Sequence, residues 1–180
     1  MAKVVIISGT LSERSRLEVV LSLLEERLRW AGHTVAWIQA RRLPPDALLR
    51  GEADSEALLE AQVRLATADV VVIASPVYKA SYTGLLKAYL DLLPQQSLAG
   101  KVVLPIAMGG TLAHLLVIDY ALRPVLAALG AEHVLQGVYV LDAAVEWRDG
   151  QGVVRDPDVV RRLDNAVDRL ALAQPKGVSA

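Results

Sequence analysis

Three short segments concentrate the chemistry-bearing residues of this chain, and each follows a run of apolar, mostly β-branched residues. The first is Ser8-Gly9-Thr10-Leu11-Ser12-Glu13-Arg14-Ser15-Arg16. A helical pattern follows it, and a helix start offers unpaired N–H groups and a partial positive charge suited to a phosphate dianion. Thr10, Ser12 and Ser15 can add hydroxyl hydrogen bonds and Arg16 can add charge. The loop is not a Walker A motif, lacking the Gly-Lys-Ser/Thr ending, nor a dinucleotide Gly-x-Gly-x-x-Gly. Ser15-Arg16-Leu17-Glu18 also reads as a capping box, worth about 1 kcal/mol of helix stability. Capping and ligand binding are compatible roles.

The second segment is Ser75-Pro76-Val77-Tyr78-Lys79-Ala80-Ser81-Tyr82-Thr83-Gly84. Pro76 stiffens the exit from the preceding strand, Tyr78 can present an edge to a planar ligand, and Lys79 can favour negative charge on it. Gly84 permits close approach at a helix start. Ordinary packing for Tyr78 and a solvated side chain for Lys79 are the competing readings. The third segment, Met108-Gly109-Gly110-Thr111, pairs glycines that expose backbone to a ligand with a threonine suited to an N-cap.

Alternating strands and helices must position these segments. Lys3–Ile7, Thr34–Ile38, Val70–Ala74, Lys101–Ala107 and Val134–Leu141 read as strands. Leu17, Val20, Leu21, Leu24 and Leu28 repeat at helical spacing, and Ser55–Ala66, Thr83–Leu92, Thr111–Leu129 and Pro157–Leu172 read as further helices. The stretch around Pro44-Pro45 reads as loop. This pattern predicts an α/β three-layer sandwich with a five-stranded parallel sheet in the order 2-1-3-4-5. In that order ligands sit beyond the carboxyl ends of the strands, at the switch between strands one and three. The three segments then share one sheet edge, where one can hold a phosphate and the other two can frame a ring. That geometry fits a mononucleotide.

The chain has 180 residues, enough for one domain, expected over residues 1–174 with a flexible tail at 175–180. A net charge of −1 with mixed signs argues against nucleic acid and membrane surfaces as partners. Cysteine is absent, which excludes disulfides and thiolate metal sites and suits a cytoplasmic setting. His33, His114 and His133 are not spaced as metal ligands. No apolar run reaches the length of a membrane span. The 53% hydrophobic fraction points to burial in an oligomer.

The second segment, continuing through Leu85-Leu86-Lys87, resembles the flavin-ring loop of the NADPH-dependent FMN reductase family, a flavodoxin-like family. Leu90-Asp-Leu-Leu-Pro94 and Leu98-Ala-Gly-Lys101 continue the pattern. Gly109-Gly-Thr-Leu-Ala-His-Leu-Leu116 and Asp119-Tyr-Ala-Leu-Arg-Pro-Val-Leu126 resemble the members that serve alkanesulfonate monooxygenases. The resemblance implies FMN phosphate at Thr10, Ser15 and Arg16, beside the candidate hydroxyl of Ser12, and a flavin ring between Pro76, Val77, Tyr78, Lys79 and Gly109, Gly110, Thr111. It implies NADPH or NADH as reductant, direct hydride transfer with no acid–base side chain, a homotetramer or dimer, and a flavin-dependent monooxygenase as transient partner. Ser12 stands where the family loop often has arginine, which leaves Arg14 or Arg16 to substitute. An NAD(P)H:quinone or azo reductase with resident FMN, or a flavodoxin-like electron carrier, remains an alternative.

The same resemblance places Tyr120 at a π-helical turn in the fourth helix, at a subunit interface. Local chemistry allows it. Pro124 has no N–H, so the Tyr120 carbonyl loses its helical partner and a wider turn could redirect it to Val125. A simple proline kink is the alternative. Leu112, Leu115, Leu116, Val117, Ile118, Leu122, Val125 and Leu126 make this helix apolar nearly all round, more than one sheet face can cover.

Overall fold

The computed structural model describes residues 1–173; the expected tail at 175–180 lies outside the described residues. The chain order is β1 (Lys3–Ser8), α1 (Arg16–Trp30), β2 (Thr34–Gln39), α2 (Pro45–Arg50), α3 (Glu56–Ala66), β3 (Val70–Pro76), α4 (Gly84–Asp91), β4 (Val102–Gly109), α5 (Arg123–Ala128), β5 (His133–Val134), β6 (Val138–Leu141), β7 (Val145–Arg148), β8 (Gln151–Val154) and α6 (Pro157–Ala173). The main sheet runs β2-β1-β3-β4-β5, with β6 also on β4, and every pairing in it is parallel. This is the expected flavodoxin-like order.

Strand alternation builds the two cores. Val4, Ile6, Val70, Val72, Leu104 and Ile106 face α1 and α6, meeting Leu17, Leu21, Leu24 and Leu28 on one and Val159 and Leu163 on the other. The intervening residues Val5, Ile7, Val71, Ile73 and Val103 face Leu58 and Leu65 of α3, Leu86 and Leu90 of α4, and Leu126 of α5. Both faces are covered, which is why β3 is apolar without alternation in its sequence. Each fully buried leucine contributes roughly 2 kcal/mol.

Four local expectations are corrected. Pro45 opens a helix at its first position instead of extending a loop, because its missing N–H would be unpaired there anyway. The fifth strand is split. β4 pairs Val103 with Val134 but Ile106 with Val138, so one extra residue bulges out between β5 and β6. Pro105 lies opposite this break and lacks the N–H that a continuous ladder requires. Residues 145–154, given no element by the sequence patterns, form the antiparallel hairpin β7–β8.

The expected helix Thr111–Leu129 is broken as well. A 3-10 turn at Leu112–His114 and a π segment at Ile118–Leu122 precede α5. Arg123 N–H donates to the Ile118 carbonyl, five residues back, so the wide turn falls two residues before the expected Tyr120–Val125 bond. Pro124 follows at once inside the first turn of α5, so the wide turn ends where the proline ring enters.

Candidate active site

The three loops leave the carboxyl ends of β1, β3 and β4 and are tied to one another. Gly9 N–H donates to the Ala74 carbonyl at 2.8 Å, and the Thr83 hydroxyl donates to the Gly9 carbonyl at 2.6 Å. Thr83 also caps α4, accepting from Leu86 N–H at 3.2 Å. Ser75 Oγ accepts from Thr83 N–H at 2.9 Å and donates to the Pro76 carbonyl at 2.8 Å. Gly9 is the glycine that close packing requires: a Cβ there would lie 2.6 Å from Leu86 Cβ. Gly84, expected to serve close approach, faces open space among the described atoms.

In the first loop, Thr10 and Ser15 are brought together. The Thr10 hydroxyl donates to Ser15 Oγ at 2.9 Å, and Ser15 Oγ accepts from Glu18 N–H at 3.4 Å as the α1 N-cap. Ser12 is exposed and donates to the Arg14 carbonyl at 3.2 Å, away from that pair. Arg16 Nε donates to the Val145 carbonyl at 3.2 Å, so the guanidinium reaches the start of β7. Only half of the capping box forms. The Glu18 carboxylate turns to Arg41, with one contact at 3.0 Å, and also accepts from Gln39 at 3.0 Å and Ser8 at 3.2 Å. Arg41, just after β2, thereby neutralises a carboxylate that lies beside Ser8, where an uncompensated negative charge would oppose an anion.

The second loop reverses in two residues. Tyr78 N–H donates to the Ser81 carbonyl at 2.8 Å and Ser81 N–H returns the bond at 3.1 Å. Lys79 and Ala80 between them have φ of 51° and 61°, the primed turn that glycine or asparagine usually fills. Val77 N–H donates to the Met108 carbonyl at 2.7 Å, joining this loop to the third. Tyr78, Lys79 and Ala80 are exposed, whereas Pro76 and Val77 are half-buried.

In the third loop Gly109 is buried and Gly110 exposed. A Cβ on Gly109 would lie 2.4 Å from the Tyr139 hydroxyl, which donates to the Thr111 carbonyl at 2.7 Å. Burial, and then the nearby Asp142 carboxylate, hold the Tyr139 hydroxyl above its ordinary ionisation range. Thr111 Oγ1 accepts from Ala113 N–H at 3.2 Å, the expected cap. Tyr120 lies beyond the loop on the π segment, 79% exposed, with no side-chain hydrogen bond to the three loops among the described residues.

Sequence reasoning missed Thr83, Ser75 and Tyr139 as the residues that set the loops, and Trp147 beside Arg14. Ser75 and Thr83 lie inside the second loop segment, but nothing local marks their partners; Tyr139 reads only as a strand residue. Among the described residues no group of three or more His, Asp or Glu gathers as a metal site, and no helix is long and apolar enough to cross a membrane.

The donor set fits a phosphate dianion: a helix start, the Ser15 hydroxyl, which accepts from Thr10 and keeps its own proton to donate, and two guanidiniums on this loop. The profile of the NADPH-dependent FMN reductases matches residues 2–146. This chain belongs to that family. It is similar to an FMN reductase (NADPH) of Pseudomonas putida, 46% identical over 82% of this chain and 75% of that one. It is also similar to an FMN reductase (NADPH) of Escherichia coli, 44% identical over 92% of this chain and 86% of that one. The crystal structure of an NADH:FMN oxidoreductase in its apo form superposes with a TM-score of 0.84 at 40% identity, covering 99% of this chain and 93% of that one. The reductase thus combines FMN with a nicotinamide reductant on the flavodoxin-like fold.

Proposed function

We propose that this NAD(P)H-dependent FMN reductase releases reduced FMN to a partner flavin-dependent monooxygenase, in sulfonate desulfonation. When bound, FMN would supply the hydride-accepting ring, and the protein would supply binding and orientation. In this reading the Thr10–Ser15 pair and the α1 start hold the phosphate, with Arg16 adding charge. Pro76, Val77, Tyr78 and Lys79 face Gly109, Gly110 and Thr111 across the ring position. Lys79 contributes a cation near charge that develops on reduction. No side chain need transfer a proton, and the loops serve to keep one ring face open to the nicotinamide.

The observation that carries the reading is the knitting of three loops at one sheet edge through Gly9, Thr83 and Val77. Release as a product is favoured by the exposure of Tyr78, Lys79, Ala80, Gly110 and Thr111, since flavin can leave without opening either core. Steady-state NADPH and NADH oxidation is the test. Free FMN should stimulate turnover, and a flavin-dependent sulfonate monooxygenase should consume the product. Turnover indifferent to added FMN, with flavin retained and quinone the better acceptor, would instead identify a quinone reductase with resident FMN.

We also propose that a second copy covers the outer face of the broken helix. Leu112, Leu115, Leu116 and Tyr120 are 63%, 48%, 53% and 79% exposed, an apolar cluster on one short segment. Its twofold repetition fits the dimer or tetramer expected from the sequence.

A further inference from the structure

The hairpin β7–β8 is seated against the phosphate-side loop by side chains from both. The Arg14 guanidinium carbon lies 4.5 Å from the centre of the Trp147 ring. Arg16 Nε bonds the Val145 carbonyl, one residue before the pair Glu146–Val153 in the hairpin ladder. Gly152 stands directly opposite Trp147, and a Cβ there would come within 2.2 Å of Val19 Cγ2 on α1. Trp147 and Gly152 therefore share the face that meets α1, the glycine admitting Val19 and the indole reaching Arg14. The family profile stops at residue 146, so Trp147 and the remainder of the hairpin lie beyond the matched segment.

Arg14 is otherwise an exposed side chain whose carbonyl is held by Ser12 Oγ at 3.2 Å. Among the described residues it pairs with no carboxylate. Stacking on an indole uses the guanidinium face and leaves its N–H groups free in the plane to bind an anion in a forked geometry. Arg16 has already committed Nε to the hairpin. Arg14 is thus the loop cation whose donors remain uncommitted and whose conformational freedom the fold has reduced.

We propose that Arg14 is a phosphate-binding residue for FMN and that Trp147 is the positioning residue that holds it in place. This rests on the reading of the β1–α1 loop as the phosphate site. The hairpin then tunes selection of the phosphorylated flavin over the unphosphorylated one.

The test is equilibrium titration of the full chain with FMN and with riboflavin, in wild type, Arg14→Met, Trp147→Ala, Trp147→Phe and Gly152→Leu. Arg14→Met and Trp147→Ala should weaken FMN about tenfold or more while riboflavin changes less than about twofold. Trp147→Phe, which keeps an aromatic face, should retain most of the FMN affinity. Gly152→Leu, which lifts the hairpin from Val19 without touching the loop, should reproduce the loss. The dependence of FMN affinity on salt should flatten in Arg14→Met. Equal effects on both flavins, or none, would overturn the proposal. A wild-type protein that binds riboflavin as tightly as FMN would instead overturn the phosphate reading of the loop.

Discussion

Tyr89 and His33 are buried polar residues on opposite sides of the hydrogen-bond rule. Tyr89 is fully buried in α4 and its hydroxyl has no hydrogen-bond partner among the described residues. Burial pushes its ionisation far above the ordinary tyrosine range. An unsatisfied buried hydroxyl costs about 1–3 kcal/mol, so Tyr89→Phe should stabilise the protein by about 1 kcal/mol, read as a higher urea midpoint at unchanged slope. His33 is satisfied: its Nδ1 accepts from Ala2 N–H at 3.2 Å, which requires the neutral ring. Burial, and secondarily the charged amino terminus, hold its pKa below the usual 6.5. Above that value the ring is neutral in folded and unfolded chains alike. As pH falls below it the unfolded chain takes up the proton first, so stability declines until the folded pKa is passed. The urea midpoint should therefore fall from about pH 7 to about pH 5 by more in wild type than in His33→Gln; parallel profiles would remove His33 from the account.

The turn after β3 and the π segment after β4 are elements whose strain flanks the site. Lys79 and Ala80 both occupy the left-handed region without being glycine, at a cost of roughly 1 kcal/mol each. The paired Tyr78–Ser81 bonds and the Val77–Met108 bond over-determine the turn. Ala80→Gly should therefore raise stability by about 0.5–1 kcal/mol, measured by thermal or urea unfolding. A loss of stability would show that the turn is not strained in this way. The π segment has a different cause. It widens the helix just before Pro124 and leaves Tyr120 and three leucines facing outward, while Val117, Ile118, Leu122 and Leu126 stay in the cores.

At the scale of the whole molecule, the sheet is filled from both sides by one chain, but the outer face of the broken helix is not. Placing charge on that face should separate assembly from folding. Leu116→Glu combined with Leu112→Glu is expected to yield a folded species of lower mass by light scattering, with an unfolding free energy within about 0.5 kcal/mol of any monomeric wild type, as for exposed substitutions. Assembly of undiminished mass would mean that this face is not the interface. The Glu18–Arg41 pair acts on the same scale, linking α1 to the segment after β2 with side chains only 15% and 11% exposed. It ties the start of α1 to the chain leaving β2.

The parallel sheet, its strand order and the three loops at its carboxyl edge were legible in the sequence, because apolar runs, helical spacing and glycine-rich exits are local signals that topology rules then restrict. The wide turn was legible only in part: Pro124 marked a disturbance in this helix without choosing between a kink and a π turn, and the bond that forms, Arg123 N–H to the Ile118 carbonyl, is not the Tyr120–Val125 bond that its missing donor suggested. What tertiary structure decided was pairing at a distance. Whether Glu18 completes its capping box or turns to Arg41, whether Thr83 caps α4 alone or also holds Gly9, and whether Arg14 finds Trp147 across 133 residues all depend on which side chains the folded sheet brings within hydrogen-bonding or stacking reach. The bulge between β5 and β6 belongs with these in part: Pro105 disturbs a neighbouring strand, and the one local sign of it is Gly137 at the break, where a Cβ would lie 3.1 Å from the Pro105 carbonyl. Such contacts have no period in the sequence, and only the closed three-layer packing supplies their partners.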